Sequence, residues 1–269
     1  AARVSRLAEE PQLELRERNG LPFLVEHWYL GSRTRRYMMV RRFREVLEHA
    51  DLAPGQRVLD LGCGWAFGTH WARASGANVA GIDLGFDQLR WARASLESGA
   101  TLGLSQSNAA ALPFRGATFD RAVSVEMMEH VFRPDRPRVL SEIARVVKPG
   151  GRLAISTPNP DSPIETVKRL AVRWRWLRSS LPSSCFPEAG DQREAYHPYR
   201  YHHPLEVAEL VQGLEAVGFR VEGAKRFLWV MKTTPDALLG AARSAEAVAE
   251  AVPGLRRLGA TTLVWAVRR

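Results

Sequence analysis

An apolar strand leads directly into a glycine-rich turn around residue 60, and this junction constrains the fold more than any other feature. The stretch from Arg57 to Gly68 reads RVLDLGCGWAFG, so Asp60 ends the apolar run and Gly62 and Gly64 follow at alternate positions. Glycine at a strand-to-helix turn permits positive φ angles and lets the backbone approach a ligand without a Cβ in the way. The junction therefore predicts a strand of a parallel sheet, followed by a ligand-binding turn.

Strand-like and helix-like patterns alternate through the centre of the chain, which is typical of a parallel sheet covered by helices. The predicted strands are Arg57–Leu61, Val79–Asp83, Leu102–Ser107, Phe119–Val125 and Arg152–Thr157, and the predicted helices between them are Gly68–Ser75, Asp87–Ser98 and Asp135–Val147. Pro149, Gly150 and Gly151 predict a stop between the last of these helices and its strand.

Similar elements flank this centre on both sides. The predicted flanking elements are an amphipathic helix over Thr34–His49, a helix over Pro204–Val217, a strand over Phe219–Glu222, a helix over Pro235–Ala251 and a strand over Thr261–Val267. A stretch rich in proline and serine separates the centre from the C-terminal elements. It predicts an insertion rather than a further repeat of strand and helix.

Composition restricts the class of protein further. The 269 residues are 45% hydrophobic and 25% charged, values that fit a globular protein and exclude a disordered or collagen-like chain. Two cysteines, Cys63 and Cys185, are too few for a disulfide framework and fit a reducing compartment. Residues 1–20 lack the apolar core of a secretory signal. No run of about 18 apolar residues predicts a membrane-spanning helix. We therefore expect a soluble, cytoplasmic chain.

The net charge of +9 leaves several partners open. Such a balance fits binding to nucleic acid, to an anionic membrane surface or to an acidic substrate. It also fits an arginine-rich, lysine-poor composition that has no functional meaning. Local clusters of charge must decide between these interpretations.

A second acidic residue supports a ligand at the glycine-rich turn. Asp83 ends the next apolar strand, about 20 residues further on, where a carboxylate can accept hydrogen bonds from both hydroxyls of a ribose. A solvated aspartate at a strand end is the structural alternative. Together, the two elements favour a ligand that contains a nucleoside.

Four motifs in order resemble the S-adenosylmethionine-dependent methyltransferases of the Rossmann-like class, also called class I. VLDLGCGWA resembles their first motif and VAGIDLGFDQL their second, while SNAAALPFRGATFDRAVSVEMMEHV and EIARVVKPGGRLAISTPNP resemble the two strands that follow. The resemblance is dense over residues 55–160 and looser as far as residue 222. Dinucleotide dehydrogenases differ, because their glycine pattern continues as G-x-G-x-x-G.

The resemblance implies an α/β, Rossmann-like fold with a mostly parallel seven-stranded sheet, helices on both faces and an inserted lid. The expected divisions are an N-terminal helical cap over residues 1–54, a cofactor-binding core over 55–160, an insertion or lid over 161–203 and a C-terminal part of the same fold over 204–269.

The resemblance also implies which residues hold S-adenosylmethionine. The residues implied for its methionine part, ribose and adenine face are Asp60, Gly62, Gly64, Asp83 and Leu84. Those implied for the adenine edge, the sulfonium end and the carboxylate are Asn108, Ala109, Val125, Glu126 and Arg42. The chain departs from the family pattern at Ala66, where many members have a third glycine, and at Asn108, which replaces the usual aspartate. The amide oxygen of Asn108 can still accept a hydrogen bond from the adenine amine.

Two carboxylates and an imidazole stand within five residues at Glu126, Glu129 and His130. This group follows an apolar strand and can supply ligands for a divalent metal such as magnesium, which prefers oxygen. The stretch resembles the metal-binding E-x-x-E-H of the ubiquinone-biosynthesis O-methyltransferases, the group whose motifs this chain matches most nearly. Those enzymes methylate hydroxyls of polyprenylated catechol-type rings. A loop that these residues merely support is the structural alternative.

Methyl transfer to a hydroxyl requires alignment of donor and acceptor and removal of a proton. The candidates for the catalytic groups are His130, Tyr201, His202 and His203, the last three in a stretch rich in histidine and tyrosine. In similar methyltransferases the corresponding region closes over the acceptor. An ordinary polar loop is the structural alternative, and a zinc site is not favoured because no cysteine pair accompanies the histidines.

Residues 164–181 carry leucine, valine and tryptophan at helical spacing, with lysine and arginine around them. A basic amphipathic helix with tryptophan suits the surface of an anionic membrane and would bring an enzyme to a lipophilic substrate. A lid helix that packs its apolar stripe on the core is the alternative.

The expected function is transfer of a methyl group from S-adenosylmethionine to a hydroxyl oxygen of a small lipophilic or aromatic acceptor. The nearest alternative is C-methylation of a quinone or sterol-like acceptor. RNA methylation is not favoured, because the strand ending in SVEMM lacks the Asn-Pro-Pro-aromatic motif that holds an extruded base. A membrane-associated protein without catalysis is the third alternative. The oligomeric state is left open.

Overall fold

The computed structural model of the chain describes residues 25–96, 103–173 and 202–269. These residues form one seven-stranded sheet. Its strands are β1 (Arg57–Leu61), β2 (Asn78–Asp83), β3 (Gly103–Gln106), β4 (Phe119–Val125), β5 (Val147–Pro158), β6 (Phe219–Phe227) and β7 (Thr261–Arg268). The strand order is β3-β2-β1-β4-β5-β7-β6, and β7 runs antiparallel to both of its neighbours.

Seven α-helices belong to the part of the chain that the structure describes. They are α1 (Arg33–Ala50), α2 (Phe67–Ala74), α3 (Phe86–Ser95), α4 (Arg136–Val146), α5 (Pro163–Arg173), α6 (Val207–Ala216) and α7 (Leu239–Ala251). A π-helical turn over Val25–Leu30 precedes α1. Short 3₁₀ turns lie at Met128–His130, Arg133–Asp135, Asp236–Leu238 and Leu255–Leu258.

Successive residues of each strand point to opposite sides of the sheet. Helices cover both of these faces. Leu59 of β1 belongs to a buried cluster with Ile143 of α4 and Leu214 of α6. Its neighbour Val58 belongs to a second cluster, which contains Trp71 of α2 and residues of α1 and α7. The predicted α/β class, with a mostly parallel seven-stranded sheet and helices on both faces, is confirmed.

The predicted stop at Pro149, Gly150 and Gly151 is wrong in its position. Helix α4 ends at Val146, and β5 begins at the next residue, before the proline. The pairing of β4 with β5 shifts between Phe119 and Arg121, so the proline and glycines form an irregularity within the strand pair rather than a linker. Gly150 has a φ angle of 75°, a conformation that glycine adopts without a steric penalty.

The sheet brings the ends of distant segments to one edge. Strands β1, β2 and β4 are parallel, so their last residues Leu61, Asp83 and Val125 lie at the same, carboxyl edge. Strand β5 also ends there, and its last residue Pro158 pairs with Thr261, the first residue of the antiparallel β7. Ligands of open α/β sheets bind at this edge.

Helix α7 is held against α1 by hydrogen bonds to a buried carboxylate. The carboxylate of Glu246 accepts hydrogen bonds from the Tyr37 hydroxyl of α1 and from the backbone N–H groups of Trp229 and Val230. Burial and the Glu246 carboxylate raise the pKa of Tyr37 to about 12. The contact therefore holds α1 against the connection between β6 and β7.

The predicted cap and lid are described only in part. Residues 1–24 of the cap and residues 174–201 of the lid lie outside the described residues, and so does the end of the predicted helix over 164–181. Helix α5 covers its first part, where Val167 and Leu170 are exposed. Across the three described ranges, no helix combines the length and apolar character that crossing a membrane requires.

Replacing Glu246 by alanine tests the buried contact between α1 and α7. The substitution leaves one hydroxyl and two amide donors without their acceptor, so we expect the free energy of unfolding to fall by about 3 kcal/mol. Urea unfolding measures the change, with Glu215→Ala on the exposed side of α6 as control. We expect the control to change stability by about 0.5 kcal/mol or less. Equal effects of the two substitutions would contradict this description of Glu246.

Candidate active site

The glycine-rich turn has the backbone geometry that the sequence predicts. Gly62 and Gly64 have φ angles of 69° and 51°, in the left-handed region that glycine tolerates. A Cβ at Gly62 would lie 2.2 Å from Cγ of Met127, whereas a Cβ at Gly64 would meet no atom within 4 Å. Gly62 therefore allows the loop after β4 to pack closely against the turn, whereas the space beside Gly64 is open.

Asp83 holds this turn to the end of β2. Its Oδ2 accepts a hydrogen bond of 2.8 Å from the backbone N–H of Gly64, and its Oδ1 accepts one of 2.7 Å from the backbone N–H of Gly85. An ionised carboxylate has about four lone-pair sites and can accept more than two hydrogen bonds. The two predicted elements, the turn and the second acid, are thus in direct contact.

Asp60 is buried below the turn, on the face of the sheet that α1 and α2 cover. Its Oδ2 accepts a hydrogen bond of 2.7 Å from the hydroxyl of Thr69, and a Cβ at Gly68 would lie 3.1 Å from the same oxygen. Burial raises the pKa of the Asp60 carboxyl to about 6, against the lowering effect of the Thr69 hydrogen bond. A donor or cation at this carboxylate would compensate part of the cost of burying its charge.

Ala66 takes the position of the third glycine at the start of α2. Its φ angle of 60° lies in the left-handed region, where a side chain costs about 1 kcal/mol or more. The alanine is fully buried, so its methyl group packs in the core while the backbone keeps the conformation that glycine would adopt. The departure from the family pattern leaves the turn intact.

The residues predicted near adenine lie beside the ends of β2 and β3. Leu84 is exposed, and the structure adds Phe86, whose side chain is 58% exposed at the start of α3. Asn108 is exposed after β3, and its Oδ1 accepts a hydrogen bond of 2.9 Å from the backbone N–H of Ala110. Phe86 is part of the second quoted motif, but an aromatic residue at a helix start does not by itself indicate a ligand.

Glu126, next to half-buried Val125 at the end of β4, adopts a strained conformation with a φ angle of 52°. Its Oε1 accepts a hydrogen bond of 3.2 Å from the hydroxyl of Ser156, and its Oε2 lies 3.5 Å from Nε of Arg42. That Nε donates to the hydroxyl of Thr261 at 3.0 Å. Burial raises the pKa of Glu126, while Arg42 opposes the rise. The structure therefore brings together Arg42 and Glu126, which the sequence assigns to different parts of the cofactor.

A second group of polar side chains lies beside Glu126. One ligand atom from each of Glu129, His130 and His202 lies within 4.8 Å of those of the other two. Glu129 is almost fully buried and accepts a hydrogen bond of 3.3 Å from the Thr157 hydroxyl. Burial, with a smaller effect from Glu126, raises the pKa of Glu129 well above its usual range. The group is a compact set of two imidazoles and one buried carboxylate.

This group differs from the predicted metal trio of Glu126, Glu129 and His130. Glu129 and His130 belong to it, but the oxygens of Glu126 face Ser156 and Arg42. His202 takes the third place. It comes from a segment 72 residues further along the chain than His130, so spacing within the local motif could not reveal it.

Glu165 of α5 completes the surroundings of His202. Its Oε1 lies 3.7 Å from Nε2 of His202, and the side chain is 11% exposed. The Nε2 atom is buried and has no hydrogen-bond partner among the described residues. Nothing in the sequence around Glu165 marks it as a site residue, because a glutamate in a first helical turn also stabilises the helix dipole.

Of the other two catalytic candidates, the structure describes His203. The backbone N–H of His203 donates to the carbonyl oxygen of Glu129 at 2.8 Å, and its own carbonyl accepts from Arg136. These bonds fix the backbone that carries His202. Tyr201 lies outside the described residues.

Comparison with known proteins identifies the central region. Residues 59–155 match the family model described as a methyltransferase domain. Methyltransferase GfsG from Streptomyces halstedii is 38% identical over 120 residues, which are 43% of this chain and 42% of that protein. A ubiquinone biosynthesis O-methyltransferase from Vibrio cholerae is 40% identical over 120 residues, 44% of this chain and 48% of that protein. The chain spans about half the length of the curated relatives it matches.

A solved structure extends the similarity of fold beyond these residues. An S-adenosylmethionine-dependent methyltransferase from Mesorhizobium loti superposes with a TM-score of 0.56 and 24% identity. The alignment covers 86% of this chain and 98% of that protein. The likeness supports the fold of the described sheet and helices.

The two glycines of the turn should respond differently to alanine. Gly62→Ala places a Cβ against Met127, so we expect the free energy of unfolding to fall by at least about 2 kcal/mol. Gly64→Ala meets no atom, so only its φ angle should cost about 1 kcal/mol. The added methyl group would occupy the open space beside Gly64, so we expect this variant to bind S-adenosylhomocysteine at least about tenfold more weakly. Urea unfolding and calorimetry measure the two quantities. Unchanged affinity in folded Gly64→Ala would contradict a ligand at the turn.

Proposed function

The chain contains the domain of a Rossmann-like, S-adenosylmethionine-dependent methyltransferase, and on that premise we propose the reaction that it carries out. It transfers a methyl group to a hydroxyl oxygen of a small lipophilic or aromatic acceptor. One observation carries the proposal. The glycine-rich turn with Asp83 lies at the same edge of the sheet as the group of Glu129, His130 and His202. A donor site and a site for proton removal thus share one edge.

The residues at the turn fit the cofactor. Gly64 leaves open space on its Cβ side, and the Asp83 carboxylate beside it is the kind of acceptor that ribose hydroxyls require. Asp60, Gly62 and Gly64 would line the methionine part. When bound, S-adenosylmethionine supplies a methyl group on a positively charged sulfur, an activated leaving group.

The remaining cofactor contacts follow the edge of the sheet. Leu84 would lie against the adenine, and its exposed side chain leaves room for such a contact. Asn108 and Ala109 would lie at the adenine edge, and Val125 and Glu126 near the sulfonium. Arg42 would reach the carboxylate with its terminal N–H groups, since the hydrogen bond that it donates to Thr261 comes from Nε.

His202 is the residue we propose to take the proton of the acceptor hydroxyl. Its Nε2 has no hydrogen-bond partner among the described residues and is thus available to accept a proton. The Glu165 carboxylate, 3.7 Å away, would stabilise the resulting imidazolium. His130 lies beside it, with a ring-centroid distance of 5.6 Å. His203 would position His202 through its backbone, and Tyr201 is proposed from the sequence alone.

A metal ion is the second role that this group of residues supports. Two imidazole nitrogens and one carboxylate oxygen form a donor set that zinc or another transition metal prefers, whereas magnesium prefers oxygen ligands. Glu126, the further oxygen donor that the predicted trio requires, faces Arg42 instead. Magnesium is therefore the less favoured ion at this group.

The nature of the acceptor is argued from the surroundings and from the relatives. The Vibrio cholerae relative is named an O-methyltransferase of ubiquinone biosynthesis, which supports oxygen as the methylated atom. The exposed Val167 and Leu170 of α5 support a lipophilic acceptor reached over the region of residues 161–203. We propose this region as the lid, between the core of residues 55–160 and the C-terminal part over 204–269, with residues 1–54 as the cap. Contact of residues 164–181 with an anionic membrane stays a prediction.

Methyl transfer to alkylated catechols and phenols tests the proposal. With methyl-labelled S-adenosylmethionine, we expect the label on a hydroxyl oxygen of at least one acceptor of the panel. His202→Gln should lower kcat by about 10²-fold or more without changing the affinity for S-adenosylhomocysteine. The matched control is His49→Gln on α1, whose ring packs against that of Trp265 at 4.4 Å from centroid to centroid, tilted by 49°. We expect the control to retain the rate of the wild type.

Three arms of the same experiment separate the alternatives. Loss of activity in EDTA, restored by zinc, would assign His202 to a metal site rather than to proton removal. Label on a ring carbon would show that the reaction is C-methylation rather than O-methylation. Label in RNA but in no small acceptor, or a bound cofactor with no transfer to any acceptor, would contradict the proposed function.

A further inference from the structure

Helix α7 buries acidic side chains while apolar side chains of the same helix stay exposed. Glu246 is 2% exposed, and Glu250 pairs with Arg41 of α1 at 2.9 Å. The exposed residues of the helix are mostly alanine and valine, with Arg243 and Ser244 among them, and Val248 is 64% exposed. A surface helix normally buries its apolar face, so the outward face of α7 requires another explanation.

The apolar surface continues beyond the helix. Val252 and Leu255 follow Val248 at spacings of four and three residues and are 41% and 44% exposed. Leu258 ends the following 3₁₀ turn and is also exposed. We call the exposed side chains of residues 241–258 the α7 face.

The fully exposed charges of the connection that carries the α7 face are of one sign. The connection from residue 228 to residue 260 contains three acidic residues, and each one accepts a hydrogen bond from a backbone N–H: Asp236, Glu246 and Glu250. Asp236 accepts hydrogen bonds from the backbone N–H groups of Arg33 and Thr34 at the start of α1. The four basic residues of the same connection are all exposed: Lys232, Arg243, Arg256 and Arg257. The fully exposed charged side chains of the connection are therefore all cationic, whereas its three carboxylates are buried or half-buried and hydrogen-bonded.

This surface is fixed to the edge of the sheet that carries the candidate active site. The connection begins after Phe227 and ends before Thr261, both at the carboxyl edge. The side-chain amide of Asn159, just after β5, donates to the carbonyl oxygens of Arg257 and Gly259 at 2.9 and 2.7 Å. The 3₁₀ turn that carries two of the arginines is thus anchored beside the end of β5.

We propose that the α7 face is a surface for peripheral contact with an anionic lipid bilayer. Exposed valine and leucine side chains would enter the boundary between headgroups and acyl chains, and the flanking lysine and arginines would meet anionic headgroups. The inference does not depend on which acceptor is methylated, because it rests on the exposed residues of the connection alone. It differs from contact through residues 164–181.

A bilayer fits this surface better than a second copy of the chain or a nucleic acid. A two-fold interface pairs the patch with itself, so Arg256 and Arg257 would meet residues of the same patch, whose carboxylates already accept hydrogen bonds within the chain. A nucleic acid would meet the cations but would leave the exposed Val248 and Leu255 without apolar partners. An anionic bilayer supplies both opposite charge and an apolar phase.

Co-sedimentation of the whole chain with vesicles tests the proposal. We expect binding to vesicles of phosphatidylcholine with 30 mol% phosphatidylglycerol (about the anionic fraction of a charged leaflet), and weaker binding to phosphatidylcholine alone. The triple variant Val248→Ser, Val252→Ser and Leu255→Ser should bind at least about tenfold more weakly. Arg256→Gln with Arg257→Gln should lose about fivefold for each arginine at low salt.

Two controls make the result specific. The pair Val167→Ser and Leu170→Ser removes exposed apolar side chains from α5 and thereby measures any contribution of the predicted helix over 164–181. Circular dichroism and S-adenosylhomocysteine affinity, both unchanged, show that the α7 variants are folded. Weaker vesicle binding by folded α7 variants supports the proposal, whatever the α5 pair does.

Other outcomes would overturn it. The α7 face is not the membrane surface if the wild type does not bind vesicles, or if the α7 variants bind as well as the wild type. A dimer in sedimentation velocity that the triple variant dissociates would assign the face to a second copy. Binding to single-stranded RNA that the arginine variants lose, without vesicle binding, would assign it to nucleic acid.

Discussion

The hydrogen bond from the Gly64 N–H to the Asp83 carboxylate is the contact on which the site depends. It joins the turn after β1 to the end of β2, and both strands reach the same edge because they pair in parallel register. The bond fixes a glycine backbone with positive φ beside a carboxylate, a group that can accept several hydrogen bonds. Gly62 has the complementary role, since its missing Cβ lets Met127 pack against the turn and couples the turn to the loop after β4.

Buried carboxylates dominate the electrostatics around this edge. Burial raises the pKa values of Asp60, Glu126 and Glu129, which means that the free protein bears a cost for their negative charges. Arg42 offsets part of that cost at Glu126, and His202 lowers the pKa of the same group. A cationic ligand near these groups would be stabilised by them and would lower their pKa values in turn. This field suits a donor that carries a positive charge, and Glu126, whose backbone is strained, is one of the residues that produce it.

The parts of the fold and site that the sequence predicts are those encoded locally. The strands around Asp60 and Asp83 and the turn between them follow from apolar runs and glycine spacing, and the structure agrees within a few residues. The start of β5 was not predictable, because Pro149 and the two glycines normally end elements and here lie within an irregular strand pair. His202 and Glu165 meet His130 through the fold rather than through spacing, so no pattern in the chain connects them. The orientation of α7 was equally hidden, since Glu246 and Glu250 are typical of a solvent-facing stripe until Tyr37 and Arg41 are placed beside them.

Calorimetric titration with S-adenosylhomocysteine tests the central claim, that the turn held by Asp83 binds the cofactor of a methyltransferase. We expect one molecule bound per chain, and Asp83→Asn, which keeps one acceptor oxygen at the turn, should bind at least about tenfold more weakly. Asp87→Ala removes an exposed carboxylate four residues away and should bind like the wild type. No heat of binding to the folded wild type, or equal affinity of the wild type and folded Asp83→Asn, would contradict the claim.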